Sequence, residues 1–488
     1  MESFKRWGFL LLLVSLSGCI DFRGAQDPDM YTPRTSHTVW RPRKEPCRLA
    51  NSLQDDFEFL EEVDPISLAE ALDIALINNP GTKQTWAAAR VSAAEYGRSL
   101  SDDFVLADVS AQYQRMRTTF FVLGQREVLH QTIAGASLNL SYLVLDFGQV
   151  RYTSYAALES LFNADWTHNR EIQNVIQMVM NDYYDYLYQK ELLKARRSDV
   201  DNAQVTLDAT LAALRTGMAD VSDQVQATTT LKQNQLTVVQ QKQNLHNAYT
   251  RFINNLGIPP NLKIAFTDYP ETIETFDVES LDELILVAMQ SRPDLIAAEA
   301  KVKSQENLLT ASERLYLPTV STDFSIGRNY FGQGFNDGYN FDFIASLSFP
   351  LFQGFFIKNT VKEAKADLKF AQAELDETRL NVLQDVTNYR EDVILAREAL
   401  VYAREFLDSA KIEFEVLLEK YKVGTTTIVD LISAQTAVAD ARAQLAQSER
   451  NWFSSLVNLA FGTGALTLSD SQTPDLFKAK EETLYEDG

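Results

Sequence analysis

Glycine and proline, the two residues that most often interrupt helices, are absent from long stretches of this chain. Neither occurs in residues 149–216 or 355–423, and the shorter stretches 218–256 and 425–461 also lack both. Because these stretches are rich in Ala, Leu, Glu, Lys and Gln, they predict long uninterrupted helices. At about 1.5 Å per residue, a helix over 355–423 would measure roughly 100 Å, which favours one elongated body over compact domains.

Basic residues are scarce as well, and so are residues for catalysis or metal binding. Against 67 Asp and Glu stand 45 Lys and Arg, a formal net charge of −22, which argues against a nucleic-acid partner because phosphates must be met with cations. The four histidines are scattered at positions 37, 130, 168 and 246, with no helical pair at metal spacing. No phosphate-loop, Gly-x-Ser-x-Gly or Cys-x-x-Cys motif occurs. We expect no enzymatic activity, no metal and no cofactor.

Long apolar runs are missing beyond the N-terminus, so the sequence predicts no transmembrane helix. The N-terminus has Lys5 and Arg6 before the apolar residues 7–14, the pattern of a secretory signal peptide over residues 1–18. It ends in Leu16-Ser-Gly-Cys19, which resembles a bacterial lipoprotein box and implies that a lipid is attached to Cys19. An ordinary signal peptide that happens to contain cysteine is the alternative.

Ile20 follows the candidate lipid-bearing cysteine, a choice that in enterobacterial lipoproteins permits export to the outer membrane. Residues 19–65 carry several prolines with little periodicity, which predicts a lipidated, extended strap. With Cys19 acylated, Cys47 would have no partner, so we expect no intramolecular disulfide.

The remaining chain is duplicated. Residues 67–80 match residues 280–293, and each copy opens with a capping box and closes with a helix-ending proline. This defines repeat 1 (66–258), a linker (259–278), repeat 2 (279–466) and an acidic C-terminal tail (467–488).

Each repeat also predicts a helical hairpin with a tight tip, at residues 214–223 and 421–430. Gly217 and Gly424 lie where a helix C-terminus needs a left-handed residue. Asp223 and Asp430 follow at the same distance from their glycines, in the first turn of the returning helix.

Between the short and long helices the hydrophobic period changes to two. Residues 136–142, 320–326 and 341–349 alternate apolar and polar side chains, which is typical of an outer-membrane barrel wall. We predict β-hairpins at about 104–145 and 318–352, with the glycine-rich residues 327–340 as a long external loop. Four strands cannot close a barrel, so the chain must oligomerise to hide its strand edges. A small soluble sheet buried against the helices is the alternative.

Side-chain composition gives three weaker expectations. Small residues at 364, 366, 371 and 373 predict a close helix–helix seam. The tyrosines at 183, 184, 186 and 188 are expected to pack between helices. The Gln-, Thr- and Asn-rich residues 224–247 suit a wet lumen and a solvated outer face equally.

These features together resemble the TolC-type outer-membrane efflux proteins, specifically their lipoprotein branch. The resemblance lies in the lipoprotein box, the two repeats, the strand exits 141–148 and 348–354, and the tip sequence Val423-Gly-Thr-Thr-Thr-Ile-Val-Asp430. It covers about residues 66–466. It implies a mainly α fold with a membrane β-barrel: a trimer with a 12-strand β-barrel in the outer membrane and a 12-helix α-barrel in the periplasm.

The resemblance also implies a function and partners. The chain would be the passive exit duct of a tripartite efflux system for small molecules, working with a periplasmic adaptor and an inner-membrane transporter. The adaptor would contact the tips at Gly217, Gly424, Arg215 and Lys422. A duct for type I protein secretion uses the same fold and differs mainly in its pump, so the sequence does not separate it from an efflux duct. A non-conducting coiled-coil tether is a remote alternative that the amphipathic strands oppose.

A periplasmic gate is implied at the same tips. In the family, the tyrosine at the position of Tyr421 hydrogen-bonds the aspartate at the position of Asp223, and an aspartate at the position of Asp430 rings the constriction. Thr426 stands where the family has an arginine, and Ser433 where it has a second acidic ring, so the resemblance implies a weaker lock. The plain alternative is that both aspartates only complement helix dipoles.

Overall fold

A computed structural model describes residues 32, 35–38, 65–269, 280–332 and 336–466. Cys19, the signal peptide at 1–18, most of the strap, part of the linker and the tail at 467–488 lie outside the described residues. The predictions made for them are therefore not addressed by the fold.

Both repeats contain the same order of elements. Each has two short helices, a β-hairpin, a helix of 67 residues and a returning helix of 35 residues. The elements of the first repeat are α1 (Leu68–Asn78), α2 (Pro80–Ser99), β1 (Leu106–Val122), β2 (Gln125–Leu145), α3 (Gln149–Arg215) and α4 (Val221–Asn255). Those of the second are α5 (Leu281–Ser291), α6 (Pro293–Arg314), β3 (Thr319–Phe331), β4 (Asn336–Ser348), α7 (Phe356–Lys422) and α8 (Ile428–Gly462). The predicted mainly α fold with a duplicated repeat is confirmed.

The short helices begin as their sequences predict. Ser67 accepts the Glu70 backbone N–H while the Glu70 carboxylate accepts the Ser67 N–H, and Ser280 and Glu283 repeat this capping box. The next helix starts at a proline in both repeats, because proline tolerates the first helical turn but cannot continue the helix before it.

The four strands form one antiparallel sheet in the order β1-β2-β3-β4. The two hairpins join where β2 pairs β3, for example Leu138 opposite Ile326. Strands β1 and β4 are the edges of this sheet within the described residues, so each presents one side of its backbone unpaired.

The prediction of a long external loop over residues 327–340 is wrong. Residues 327–331 belong to β3 and residues 336–340 to β4, with Gly327 opposite Asn340. A Cβ atom on Gly327 would lie 2.9 Å from the Ala136 carbonyl oxygen. This glycine therefore permits close approach of two strands rather than a turn.

The helices form a layer beneath the sheet. Helix α3 packs against α2, α4, α6 and α8, whereas α7 packs mainly against α5, α6 and α8. Helix α7 thus forms one edge of the layer, and α2 and α4 form the other. Within the described residues, no helix is both long and apolar enough to span a membrane.

The seam along α7 differs from the prediction in part. Ala364 and Ala371 are buried, but Ala366 and Ala373 are exposed, because a residue two positions further lies about 200° around the helix. The tyrosine prediction is confirmed in the cluster around α3: Tyr183 is buried, contacts Phe252 edge-to-face and donates its hydroxyl to the Thr267 carbonyl.

Two consecutive residues in the left-handed conformation connect each β-hairpin to the long helix that follows it. They are Phe147 and Gly148 in the first repeat (φ +57° and +89°) and Gly354 and Phe355 in the second (φ +60° and +66°). A phenylalanine with positive φ is strained by roughly 1–2 kcal/mol, so the surrounding structure must fix this junction.

The returning helices are clamped where they end. In the first repeat, Asn79 Nδ2 donates to the Asn255 carbonyl oxygen at 3.1 Å. In the second, buried Arg292 donates to the Gly462 carbonyl oxygen and pairs with Asp294 and Asp385. The end of the returning helix is therefore held by a neutral amide in the first repeat and by a charged network in the second.

Candidate functional site

The two tips of the helical hairpins are tight turns closed by backbone hydrogen bonds. Gly217 and Gly424 adopt φ of +78° and +74°, as the sequence predicts for residues that end a helix. The N–H after each glycine reaches back to the last turn: Met218 donates to Ala213, and Thr425 donates to Lys420, both at 2.9 Å.

Each returning helix then starts with a carboxylate in a capping box. At the second tip the Asp430 carboxylate accepts the Thr427 hydroxyl at 2.6 Å, the Thr427 N–H and the Thr426 hydroxyl. These hydrogen bonds, with that from the Thr427 hydroxyl the largest, lower the pKa of Asp430. Asp430 is therefore an exposed, firmly ionised group.

At the first tip the capping residue is Asp220. Its carboxylate accepts the Ser222 N–H at 2.7 Å and the Asp223 N–H at 3.1 Å, and the Ser222 hydroxyl is the leading cause of its lowered pKa. Asp223 completes the box by accepting the Asp220 N–H at 3.2 Å. Sequence reasoning missed Asp220, although its spacing to Asp223 is that of Thr427 to Asp430 and signals the same cap.

The structure does not join Tyr421 to Asp223. The Tyr421 ring is 6% exposed, in a core with Ile428 and Leu431, and its hydroxyl donates to Thr210 Oγ1 at 3.4 Å. The carboxylate of Asp223 is held by its own helix cap instead. The implied bond is therefore wrong for this protomer, because the buried side of α7 at Tyr421 faces α3 and α8.

A chain of polar contacts continues from Tyr421 into the bundle. Thr210 Oγ1 donates to the Thr206 carbonyl at 2.8 Å, and Thr206 Oγ1 donates to Gln435 Oε1 at 3.1 Å. Helices α3, α7 and α8 are thus hydrogen-bonded to one another just above the tips. Thr, Gln and Tyr at helical spacing within otherwise apolar helix faces are the signal by which the sequence could have revealed these contacts.

The residues predicted to meet an adaptor are exposed at these tips. Arg215, Gly217, Lys422 and Gly424 all face solvent, and Lys422 pairs with Glu419 at 2.6 Å. The two tips also lie side by side, since a Cβ atom on Gly424 would lie 3.4 Å from Met218 Sδ. Apolar side chains rim them: Met218, Val221, Val225, Val423 and Val429, each more than half exposed.

A second polar cluster lies where α2 meets α3. His168 is fully buried, with Nδ1 2.9 Å from Thr85 Oγ1 and Nε2 3.2 Å from the Thr38 carbonyl oxygen, and burial lowers its pKa to about 4. Asp165, one turn earlier, is 0% exposed, and neither carboxylate oxygen has a hydrogen-bond partner in the described structure. Burial raises its pKa to about 9, so this carboxyl is neutral at pH 7.

Comparison with known proteins places this architecture among outer-membrane proteins. The chain is 24% identical to Protein CyaE of Bordetella pertussis over 326 residues, 66% of this chain and 67% of that protein. It is 23% identical to Outer membrane protein TolC of Salmonella enteritidis over 355 residues, 69% and 70% of the two chains. The CmeC outer membrane channel of Campylobacter jejuni shares its fold, with a TM-score of 0.73 at 20% identity over 84% of this chain and 88% of that one.

The family assignment follows from the length of chain that a single family model matches. The model of the outer membrane efflux proteins matches residues 71–257 and 284–465, which include both β-hairpins, both long helices and both tips. This agrees with the resemblance carried by the repeats and the second tip. The chain belongs to the outer membrane efflux protein family.

Proposed function

We propose that three copies of this chain close into one passive exit duct for small molecules in the outer membrane. The observation that carries the proposal is the pair of open edges in the protomer. Strands β1 and β4 have unpaired outer sides, and beneath them α7 and the α2–α4 side are the open edges of the helical layer. A sheet with two long edges needs partners, and three copies would give a 12-strand barrel above a 12-helix barrel.

The open helical edge is apolar, which supports pairing with a second copy. Along α7, Phe370, Leu380, Leu395, Tyr402 and Phe406 are each at least 45% exposed. Side chains of this kind on a water-exposed face indicate a surface that another helix covers. The duct itself would perform no chemistry, and its long helices would extend into the periplasm.

The tips would receive cargo from an inner-membrane transporter through a periplasmic adaptor. Their exposed glycines and apolar rim are carried away from the sheet on rigid helical hairpins, the position expected for docking loops. Three copies of Asp430 would form an acidic ring at this mouth and attract cations. A lipid on Cys19 would anchor the strap to the outer membrane, at about 0.8 kcal/mol per buried CH₂ group.

Two measurements on the purified full-length protein test the duct. Cross-linking in detergent should stop at trimers, and planar-bilayer recordings should show discrete cation-selective steps. Asp430→Ala should lower the cation selectivity, whereas Glu415→Ala, which removes an exposed acid from the same helical hairpin away from its tip, should leave it unchanged. Monomers that carry no current would contradict the proposal.

A protein-secretion duct would share this architecture, and we find no feature of the described residues that favours it over small-molecule efflux. The two differ in the partner transporter. Co-purification of an adaptor with the wild type but not with a variant made bulky at Gly217 and Gly424 would support docking at the tips.

A further inference from the structure

Helices α3 and α7 are equivalent by duplication, but only α3 has a repeat on each side of it. Helix α3 contacts α2 and α4 of its own repeat and also α6 and α8 of the second repeat. Helix α7 packs mainly on α5, α6 and α8 of its own repeat and meets α3 only near the tips, at Thr210. The side of α7 that corresponds to the α6- and α8-facing side of α3 therefore has no partner helix in the described protomer.

The duplication relates each contact of α3 to a pair of positions on the open edges. Helix α3 begins at Gln149 and α7 at Phe356, so equivalent residues differ by 207, and α4 and α8 have the same offset. Helices α2 and α6 begin at Pro80 and Pro293, an offset of 213. In a ring of copies, α2 and α4 of the next copy would lie beside α7 as α6 and α8 lie beside α3. Each observed contact between the repeats thus predicts a contact between copies.

The contact between α3 and α6 places a phenylalanine of α7 on a small residue of the next copy. Asn163 Nδ2 donates to the Ala297 carbonyl oxygen at 2.8 Å. The equivalent pair is Phe370 of α7 and Gln84 in α2 of a neighbouring copy. Ala87 lies one turn from Gln84 on the same side of α2 and is exposed. The Phe370 ring, which is 63% exposed in the protomer, would therefore pack on Ala87.

Two turns nearer the sheet, the large residue belongs to α2 and the small one to α7. Ser304 Oγ donates to the Ala156 carbonyl oxygen at 2.8 Å. The equivalent pair is Val91 in α2 of the neighbouring copy and Glu363 of α7, with Ala366 one turn from Glu363 on the same side. Val91 is 59% exposed, and Ala366 is exposed as well. Large and small side chains thus alternate along this edge, which permits close packing of two helices.

The contact between α3 and α8 gives the register in the lower half of the layer. Arg442 Nη1 donates to Asp199 Oδ1 at 2.9 Å. Val239 of α4 lies one turn from the position equivalent to Arg442, and Tyr402 of α7 lies one turn from the position equivalent to Asp199. Because α4 and α7 run in opposite directions, Tyr402 would face Val239 of the neighbouring copy. Their side chains are 67% and 61% exposed in the protomer, so both would lose apolar surface to this contact.

The edge of α7 is acidic along this lower half. At 100° per residue, the charged residues from 398 to 420 that lie on the side of Tyr402 and Phe406 are Glu398, Glu405, Glu413 and Lys420. The other charged residues of this segment lie on the remaining sides of the helix, among them Lys411, which pairs with Asp408. Three acids therefore line the edge, and a single lysine follows them near the tip.

The opposing helix α4 carries the reverse charges. Its charged residues are Asp223, Lys232, Lys242 and Arg251, and the last of these pairs with acids of α3 in its own copy. In the register carried over from α3 and α8, Lys242 lies opposite Glu398, and Lys232 lies within one turn of Glu405. Near the tips both signs reverse, with Asp223 on α4 and Lys420 on α7. The two edges are thus complementary in charge as well as in size.

We propose that α7 of each copy packs on α2 and α4 of the next copy in the register that α3 keeps with α6 and α8, and that Lys242 and Glu398 form an ion pair between copies. The inference rests on the proposed function, because it needs copies closed into a ring, and it adds which residues of two copies meet. The occupant of the edge is a second copy of this chain because both edges reproduce the chain's own contact between repeats. Two different edges that fit each other are what a closed head-to-tail ring requires.

Disulfide cross-linking of the full-length protein tests the register. In a Cys47→Ser background, Val239→Cys is combined with Tyr402→Cys. Because α4 and α7 lie on opposite edges of the protomer, a bond between these residues joins two copies, and oxidation should give a covalent trimer. The control combines Val239→Cys with Val416→Cys, which lies on the same side of α7 but roughly 21 Å further along the helix, too far for a disulfide.

Charge reversal tests the ion pair. Lys242→Glu should weaken trimer formation in detergent roughly tenfold, since acids then meet at each of the contacts between copies. Adding Glu398→Lys should restore it, because the pair is rebuilt with its signs exchanged. The matched control is Lys194→Glu, which makes the same charge change on α3, where Lys194 pairs with Glu191 of its own helix. It should leave trimer formation unchanged. Analytical ultracentrifugation measures all four proteins.

The outcomes separate this inference from the proposed function. A trimer in which the shifted cysteine pair forms the bond and the matched pair does not would overturn the register. Failure of Glu398→Lys to rescue Lys242→Glu would overturn the ion pair. The proposed duct would stand in both cases. A wild type that stays monomeric in cross-linking and carries no current would defeat the proposed function and this inference with it.

Discussion

Helices α3 and α7 occupy the same place in the two repeats and are equally long, yet their surroundings differ. Helix α3 is covered on several sides and buries polar groups as well as apolar ones, among them Asp165, His168 and Asp199. Helix α7 buries a single stripe whose members recur every three, four or seven residues. All of them are apolar apart from the hydroxyl of Tyr421: Ile357, Val361, Ala364, Ala371, Leu375, Val382, Val386, Val393, Ala396, Leu400, Ala403, Leu407, Ala410, Phe414 and Tyr421.

Equivalent positions of the two helices differ in their exposure. Buried Asp165 corresponds to exposed Gln372, and buried Gln173 corresponds to Leu380, which is 66% exposed. A duplicated sequence therefore does not give a duplicated environment. Helix α3 is covered by other helices of its own protomer, whereas α7 keeps an exposed apolar face that a neighbouring copy would cover.

The largest expected effect concerns the unequal clamps at the ends of the returning helices. Arg292→Met removes a 2%-exposed guanidinium, takes from Asp385 the cation it pairs with and leaves Asp294 only the longer contact with Arg170 at 3.7 Å, so we expect a loss of about 3–5 kcal/mol in the free energy of unfolding. Asn79→Ala should cost about 1–2 kcal/mol, because one neutral amide is lost. Thermal unfolding in detergent, followed by circular dichroism, would compare them. Equal losses would mean that the two junctions are energetically alike.

Next comes the buried acid of the central helix. The pKa of Asp165 is raised to about 9 in the fold, so between about pH 4 and pH 9 the unfolded chain releases a proton that the folded chain keeps. Stability should therefore fall as pH rises through this window. Asp165→Asn should remove that loss and raise the free energy of unfolding at pH 8 by on the order of 2–4 kcal/mol, with little gain at pH 4.

The control for this comparison is Asp376→Asn, an exposed acid on the edge helix α7. Its substitution should leave the dependence of the unfolding midpoint on pH unchanged. If the Asp165 variant and the wild type show parallel curves from pH 4 to pH 8, the carboxyl is not held neutral by burial.

A smaller effect is expected on the open face of α7. Leu380→Gln and Leu395→Gln should each weaken trimer formation by roughly 1–2 kcal/mol, because both leucines are exposed in the protomer and would be buried only against a neighbouring copy. Analytical ultracentrifugation in detergent measures this. By contrast, Leu375→Gln alters the buried stripe and should lower the unfolding midpoint of the protomer itself. Unchanged association in the first two variants would show that this face meets no other copy.

The smallest effect is at the tips. Because Tyr421 contacts Thr210 and not Asp223, Tyr421→Phe and Thr210→Val should be coupled by about 0.5–1 kcal/mol in a double-mutant cycle, while Tyr421→Phe and Asp223→Ala should be additive. Hydrogen exchange of the backbone amides at the tips measures the free energy of local opening in each variant, from which the coupling is calculated. Coupling with Asp223 would restore the bond that the family resemblance implies.

The sequence predicts those features that depend on local chemistry. Missing glycine and proline define the long helices, and Ser67, Glu70, Ser280 and Glu283 define the caps, because each involves residues close along the chain. The partner of Tyr421 and the exposure of Ala366 depend on how α7 is rotated against α3 and α8. That rotation is set by packing across hundreds of residues and leaves no local pattern.

The extent of β3 and β4 was hidden for a related reason. Residues 327–331 begin with a glycine that interrupts the simple alternation, and they belong to a strand because their partners across the sheet supply the hydrogen bonds. A glycine that permits close contact and a glycine that permits a turn look alike until the opposing backbone is known.

The paired left-handed residues at the top of α3 and α7 have a mechanical consequence. Below Gly148 and Phe355, each helix runs 67 residues with no glycine or proline at which to bend. Such a helix is roughly 100 Å long, so the angle that is fixed at its junction with the sheet decides where its far end lies. A difference of about 5° in that angle would place the far end roughly 9 Å away, nearly the full diameter of a helix. The position of the tips therefore depends on how exactly the strained junction beside the sheet sets this angle.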